Sequence, residues 1–268
     1  MMINPLVLVT DFGTKDPYSA VVKGVLLSIN KKFNIIDATH EISSGNIAEA
    51  SRFLNSIISW YPEGSVFICV VDPGVGSERK ILVLKSLNRI ITAPDNGVVS
   101  DLVKKHGIQE LYFASKKHFI SKATFDGRDI FAPLGAALAE KGTNLSFLEK
   151  AVPENIVLKD FYPAPKSGED LISGEIVNID KYGNLITNIS KNCALRAFRS
   201  FEDTRVYLGE QKLGSIVYTY SSSAEGKLIT LWNSSDFLEI ACVNKSAEKK
   251  LGNKVKDKVF LKSVFYKK

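Results

Sequence analysis

Cysteine and histidine are scarce: three of each in 268 residues. Cys69, Cys193 and Cys242 are far apart, odd in number and lack any Cys-x-x-Cys spacing or nearby histidine pair. That excludes a disulfide framework and a sequence-encoded zinc site. All three are expected to be reduced, at least two of them in the core. No apolar run approaches the roughly 20 residues that a bilayer span needs, and the N-terminus lacks the charged start and small-residue cleavage site of a signal peptide. A globular, cytoplasmic protein is the expectation. Internal repeats and low-complexity segments are missing as well.

The net charge of +6 comes from scattered lysines, many gathered late in the chain (Lys245, Lys249, Lys250, Lys254, Lys256, Lys258, Lys262, Lys267, Lys268). No arginine-rich, aromatic-interleaved stripe accompanies them, so they read as a solvated surface and neither nucleic acid nor membrane is an expected partner.

What is present is a hydrophobic fraction of 45%, enough for one large or two modest domains. In the first half, short apolar strands (Leu6 to Thr10, Ile35 to Ile36, Val66 to Val71, Ile81 to Leu84, Ile90 to Thr92) alternate with helical spacing. Val21, Val22, Val25, Leu26 and Ile29 form one such stripe, and Ile47, Ala50, Leu54, Ile57 and Ile58 another. A further helix is expected from Asp129 or Ile130 to Lys141, stopping at Gly142. The pattern predicts an α/β domain over residues 1–155 with a mostly parallel sheet flanked by helices. Pro153, Pro163 and Pro165 mark a linker over 156–170. The remainder, 171–268, reads as a smaller all-β, barrel-like domain. Its expected strands are Ser173 to Ile179, Leu185 to Ile189, Val206 to Leu208, Ile216 to Tyr220, Leu228 to Trp232 and Phe237 to Val243.

The most informative stretch follows Val66-Phe67-Ile68-Cys69-Val70-Val71, a run apolar on both alternating faces as in a covered parallel strand. It ends in Asp72-Pro73-Gly74, with Arg79 seven residues on. Ligands of open α/β sheets gather outside the strands' carboxyl ends, which suits Asp72 to chemistry. The plainer reading is a turn cap with a solvated arginine. Three further motifs repeat the design: Thr10-Asp11-Phe12-Gly13, Pro94-Asp95-Asn96-Gly97 and Phe125-Asp126-Gly127-Arg128-Asp129. Carboxylates delivered to one rim suit a cation or a hydroxyl-rich ligand. A divalent metal fits poorly, because no histidine accompanies the acids and Arg79 and Arg128 are placed to compete for them.

These residues resemble the S-adenosylmethionine hydroxide adenosyltransferases, adenosine-forming S-adenosylmethionine hydrolases related to the fluorinating and chlorinating enzymes. The resemblance covers nearly the whole chain. It runs through Thr10-Asp11-Phe12-Gly13 with Asp16-Pro17-Tyr18, then Asp72-Pro73-Gly74-Val75-Gly76 with Arg79, Pro94-Asp95-Asn96-Gly97 and Thr124-Phe125-x-Gly127-Arg128-Asp129. It continues through Asp180-Lys181-Tyr182-Gly183-Asn184 and Asn233-Ser234-Ser235 before Leu238-Glu239-Ile240-Ala241. The resemblance implies a homotrimer, with substrate held between one subunit's N-terminal domain and its neighbour's C-terminal domain. It implies metal-independent attack of water or hydroxide at the ribose C5′, giving adenosine and L-methionine, with no cofactor beyond the substrate.

By that resemblance Asp11 binds the ribose diol with Asp16 and Tyr18 nearby, and Asp72 and Arg79 belong to the water-activating group. Its third member departs from the pattern, since Asp126 stands where many relatives carry histidine. An ordinary aspartate, with a pKa of about 3.9, orients water better than it deprotonates it. Asp126 is therefore expected to position the nucleophile. Asp180, Asn184, Ser234, Ser235 and Glu239 are carried over as substrate-binding positions, with backbone near Val243 reading the adenine edge and Tyr182 and Phe237 flanking the base. Asp236 replaces a frequent glycine. His40, His106 and His118 read as ordinary histidines. Two other readings stay open: a protein that binds adenosine or S-adenosylmethionine with little turnover, and a halide adenosyltransferase, which the charged pocket disfavours.

Overall fold

The computed structural model describes residues 4–119, 124–168, 170–198, 201 and 204–264; Lys267 and Lys268 lie outside them. The chain divides into two compact units, Met1–Phe161 and Tyr162–Lys268.

In the first unit the elements run β1 (Leu6–Thr10), α1 (Tyr18–Ile29), β2 (Ile35–Thr39), α2 (Ile47–Ile57), β3 (Val66–Val70), β4 (Ile81–Ser86), β5 (Arg89–Pro94), α3 (Ser100–His106), β6 (Glu110–Ala114), α4 (Ala132–Lys141) and β7 (Leu148–Lys150). Among the described residues these strands form one sheet ordered β2-β1-β3-β5-β4-β6-β7. The neighbours β2, β1, β3 and β5 are parallel, while β4, β6 and β7 join antiparallel. The sheet is thus mixed, which corrects the mostly parallel expectation. The cause is local: β4 and β5 are joined by Leu87-Asn88, both left-handed at φ 51° and 58°. Two residues with positive φ make a tight hairpin, and so short a connection cannot return a strand in parallel.

Alternate residues of β1 and β3 serve two cores. Leu6, Leu8, Val66 and Ile68 pack with Val22 and Leu26 of α1 and with Leu134 and Leu138 of α4. Val7, Val9, Phe67 and Cys69 pack with Leu54 of α2 and Leu102 of α3. Helical stripes therefore cover both faces of these strands, and only loop residues beyond their carboxyl ends stay open for polar work. Residues 156–159, read as linker, belong to this unit: Ile156 is buried, the Val157 N–H donates to Asp95 and the Lys159 N–H to Ser100 Oγ.

The second unit contains β8 (Lys166–Ser167), β9 (Leu171–Ile179), β10 (Leu185–Ser190), α5 (Lys191–Ala197), β11 (Thr204–Leu208), β12 (Gln211–Gly214), β13 (Ile216–Val217), β14 (Leu228–Trp232), β15 (Phe237–Cys242), α6 (Ala247–Leu251) and β16 (Lys258–Ser263). The sheet runs β12-β11-β16-β9-β10-β15-β14-β13, with β8 added to β9. Because β12 approaches β14 and β11 approaches β13, the sheet nearly closes into a barrel around Ile172, Ile176, Leu185, Ile240 and Leu261. Two short helices qualify the all-β expectation. Each starts on a serine, Ser190 or Ser246, whose side chain accepts from the backbone N–H three residues on. The strand expected over Ile216 to Tyr220 ends at Val217, because Tyr218 is fully exposed and Tyr220–Ser222 coil into a single 3₁₀ turn.

Cys69 and Cys242 are buried, Cys193 is partly so, and none is paired. Burial, reinforced by Asp11, pushes the Cys69 thiol up to about 12, which makes it an inert core residue. The late lysines from Lys245 to Lys262 are exposed, as a solvated surface requires.

Candidate active site

In the first unit, three of the four acid motifs meet. A cavity of about 270 Å³ is lined by Asp11, Asp72 and Asp126 together with Phe12, Tyr18, Val70, Val75, Thr124, Phe125, Gly127 and Phe131. Asp11 follows β1, and its Oδ2 accepts the Gly45 N–H at 2.8 Å, which ties it to the loop after β2. Asp72 follows β3; its Oδ1 accepts the Gly74 N–H at 2.8 Å and is paired with Arg79 Nη1. Gly74 is what lets the arginine lie over the turn, since a Cβ there would meet Arg79 Nη2 at 2.6 Å. Asp126, 8% exposed, precedes a π-helical turn at Gly127–Phe131 that leads into α4. Single π turns are frequent at functional sites because they displace side chains from the regular helical face.

Phe12, Tyr18 and Phe125 form the apolar wall, with ring centroids 5.4–6.2 Å apart. Arg128 does not compete for the cavity acids: Nε and Nη2 clasp Asp129 at 2.6 and 2.9 Å. Asp16 is exposed and is not among the lining residues. Among the described residues, no three His, Cys, Asp or Glu side chains gather closely enough to hold a metal ion.

The fourth acid, Asp95, goes elsewhere. It is 8% exposed and accepts the Val157 N–H at 2.8 Å, which pins the end of the unit. Burial holds its carboxyl above the ordinary range. The folded state therefore keeps a proton that the unfolded state has lost, and stability falls as pH rises through this interval. Asp95→Asn keeps an acceptor for Val157 and should flatten that slope, as read by urea unfolding midpoints in steps from pH 4 to 7.

The second unit has its own cleft, of about 1100 Å³, lined by Asp180, Tyr182, Asn184, Tyr220, Val243, Lys245 and Ser246 among others. Asp180 organises the turn before β10: Oδ1 accepts the Tyr182 and Asn184 N–H groups at 2.9 Å, and Oδ2 accepts Asn184 Nδ2 at 3.0 Å. The last bond orients the Asn184 amide, leaving its Oδ1 as the free end. Gly183, at φ +80°, is required here, because a Cβ would fall 2.0 Å from Ser246 Oγ.

Ser234, Ser235 and Phe237 are not in this cleft. They lie at the opposite end of β15 from Val243, in a turn where Asn233 Oδ1 accepts the Ser235 and Phe237 N–H groups. Asp236 occupies a left-handed conformation at φ 61°, which explains why glycine suits that position. Glu239 is 3% exposed and its carboxylate takes the Tyr220 hydroxyl at 2.6 Å. It is not among the residues that line the cleft.

Two residues escaped the sequence reading. His40 is not an ordinary histidine: it is 4% exposed, and Nδ1 lies 2.7 Å from Thr10 Oγ1, which also accepts the Phe12 N–H. Its Nε2 is 3.1 Å from Asp37 Oδ1 and its carbonyl accepts the Gly13 N–H at 2.7 Å, so it braces the loop carrying Asp11. The position of Asp37-Ala38-Thr39-His40 at a strand end was the available signal. Tyr220 had none, since it sits in a Tyr/Ser stretch without period. His118 stacks on Phe147 with centroids 3.9 Å apart and is not among the cavity residues.

A mixed α/β unit with carboxylates beyond its parallel strand ends, followed by a nearly closed β unit with a polar cleft, defines a two-domain class built to hold a small polar ligand. Residues 6–148 match the N-terminal domain model of SAM hydroxide adenosyltransferase, and residues 174–260 match its C-terminal domain model. The chain belongs to the SAM (S-adenosyl-L-methionine) hydroxide adenosyltransferase family. It is 31% identical over 261 residues to the (R)-S-adenosyl-L-methionine hydrolase of Methanocaldococcus jannaschii, covering 93% of this chain and 92% of that protein. A fluorinase from an Actinoplanes species is 28% identical over 217 residues, covering 70% of this chain and 72% of that one. A crystal structure of an uncharacterized conserved protein from Thermotoga maritima superposes with a TM-score of 0.88 at 31% identity, covering 96% of this chain and 99% of that one.

Proposed function

We propose that this chain hydrolyses S-adenosyl-L-methionine to adenosine and L-methionine. The observation that carries this reading is the convergence of Asp11, Asp72 and Asp126 on one small cavity with an aromatic wall. Water oxygen forms a bond to the ribose C5′ while the C5′–S bond breaks and its electron pair stays on sulfur. Methionine leaves as a neutral thioether, so no general acid is needed, and the proton lost by water passes to a carboxylate or to solvent. What the protein must supply is an aligned, partly desolvated nucleophile.

Each residue has a part in that task. Asp11, held by the Gly45 N–H, offers its other oxygen to the ribose diol. Asp72 uses Oδ1 for Gly74 and Arg79, which leaves Oδ2 to accept from the attacking water. Asp126 holds the same water from the π turn. The Phe12, Tyr18 and Phe125 rings line the cavity and give the cationic sulfonium an aromatic wall. Three carboxylates favour a cationic substrate and repel a halide nucleophile, which argues for water over halide. The cavity, at about 270 Å³, is just below the roughly 300–1,000 Å³ usual for ligand pockets. It takes the reacting centre, and the second unit's cleft, lined by Asp180, Tyr182, Asn184 and Val243, takes the adenine and methionine ends, in a homotrimer where a neighbouring subunit completes the site.

Incubation with S-adenosylmethionine in ¹⁸O-labelled water tests the reading: label should appear at the 5′ oxygen of adenosine. Asp126→Ala should lower kcat about 100-fold with little change in KM. Asp126→His should add an inflection near pH 6.5 to the rate profile, the ordinary range of an imidazole. An unchanged rate in Asp126→Ala would remove Asp126 from the mechanism.

A further inference from the structure

Tyr220 stands at the cleft of the second unit, 46% exposed, on the 3₁₀ turn Tyr220–Ser222. Its hydroxyl proton is committed. It donates to Glu239 Oε1 at 2.6 Å, and that carboxylate is buried in β15, is also held by the Asn233 side chain and does not line the cleft. Burial and the neighbouring Glu239 push the phenol pKa upward, so the phenol keeps its proton; burial raises the Glu239 carboxyl as well, and the phenol proton is held on Glu239 Oε1 in the pH range where Glu239 is ionised. A phenol whose only proton points into the protein can offer the cleft lone pairs alone.

We propose that Tyr220 Oη is a specificity-determining acceptor for the exocyclic amino group of the bound purine, and that Glu239 is the positioning residue that keeps the phenol's proton turned away. This rests on the reading above that the second cleft takes the adenine, and it deepens it by naming the group that is selected. A 6-amino purine brings an N–H to the phenol oxygen. A 6-oxo purine brings a second acceptor, and two facing lone pairs without a proton between them leave both groups unsatisfied. Sites that hydrogen-bond one substrate group reject analogues lacking it far better than sites that discriminate by size. In this proposal Glu239 acts on the ligand through Tyr220, since it does not itself line the cleft. The exposed Tyr182 ring, on the turn organised by Asp180, supplies a flat surface beside this acceptor.

The test uses the full chain and two probes, adenosine and inosine, which differ at the 6-position and carry no ammonium group. Titration calorimetry on the wild-type protein should show adenosine bound at least about tenfold more tightly than inosine. Tyr220→Phe should weaken adenosine about tenfold, the weight of one neutral hydrogen bond, and leave inosine unchanged or improved. Glu239→Gln can donate its amide to the phenol oxygen and free the phenol proton for the cleft, so the adenosine-to-inosine ratio should fall although no ligand contact has been removed. A residue that merely supported the fold would lower both affinities together. Equal losses for both nucleosides in Tyr220→Phe, or an unchanged ratio, would overturn the proposal even if adenosine is bound and S-adenosylmethionine is hydrolysed. Failure of the wild-type chain to bind either nucleoside would sink the functional reading, and this proposal with it. Tyr220→Phe takes one hydrogen bond from the buried Glu239 carboxylate, so its melting temperature should fall by a few degrees; the ratio of the two nucleoside affinities, read well below that temperature, decides alone if Glu239→Gln folds poorly.

Discussion

Asp72→Ala should lower the rate of adenosine release from S-adenosylmethionine by about 10³-fold, within the 10²–10⁴ that a positioned acid–base group contributes. The Asp72 side chain is only 8% exposed and its Oδ1 serves two partners, the Gly74 N–H and Arg79. Removing it leaves a half-buried guanidinium without its counter-charge and frees the turn that aims at the cavity. Asp72→Asn separates the two effects. The amide oxygen can still accept from Gly74, so the turn keeps its shape and the melting temperature should move little. The charge and the proton acceptor are lost, so turnover should fall nearly as far as in the alanine variant. Full activity in Asp72→Asn would mean that a carboxylate is not required there, and the proposed water-holding role would be wrong.

Phe67→Ala should produce the largest loss of stability. Phe67 is fully buried in β3, the strand between β1 and β5, and meets Tyr61 edge-on with ring centroids 5.2 Å apart. Truncating it removes transfer free energy and leaves a cavity that packed neighbours cannot fill, at a cost of about 3–5 kcal/mol. For a unit of this size that corresponds to a melting temperature lower by about 10 °C, measurable by circular dichroism. Tyr218→Ala is the internal control: that ring is fully exposed and its removal should change stability by less than about 0.5 kcal/mol. A drop for Tyr218→Ala comparable to that for Phe67→Ala would show that the ring is covered in solution, contrary to its exposure here.

How much of this was legible differs from residue to residue. Asp11 and Asp72 could be picked out because each follows an apolar strand and enters a glycine-containing turn, and Asp126 because it stands before Gly127-Arg128-Asp129 at the start of the π turn. Asp95 carries the same pattern, yet it is buried against Val157, because local sequence does not say whether a loop faces a cavity or a neighbouring segment. The mixed sheet was missed for a related reason. The hairpin at Leu87-Asn88 requires two left-handed residues, and leucine does not advertise that conformation. In the second unit, Asp180, Tyr182 and Asn184 share one short turn and so were found together. Ser234, Ser235 and Phe237 lie at the other end of β15 from Val243 and outside this cleft, a placement that local sequence does not disclose.

Periodicity and turn chemistry, which act over a few residues, were enough by themselves to determine the two-domain arrangement, the five strands β1 to β5, the helices α1, α2 and α4, and the acids worth watching, because burial of an apolar stripe or strand leaves its mark every second or every third to fourth position; α3, β6, β7 and β16 were not legible in this way. Which acids share a cavity, which arginine pairs with which carboxylate, that His40 braces the Asp11 loop and that Tyr220 surrenders its proton to Glu239 were decided only by the tertiary structure. Each of those contacts joins residues whose separation in the chain leaves no periodic trace, so only the folded backbone can bring them within the few ångströms over which hydrogen bonds and ion pairs act.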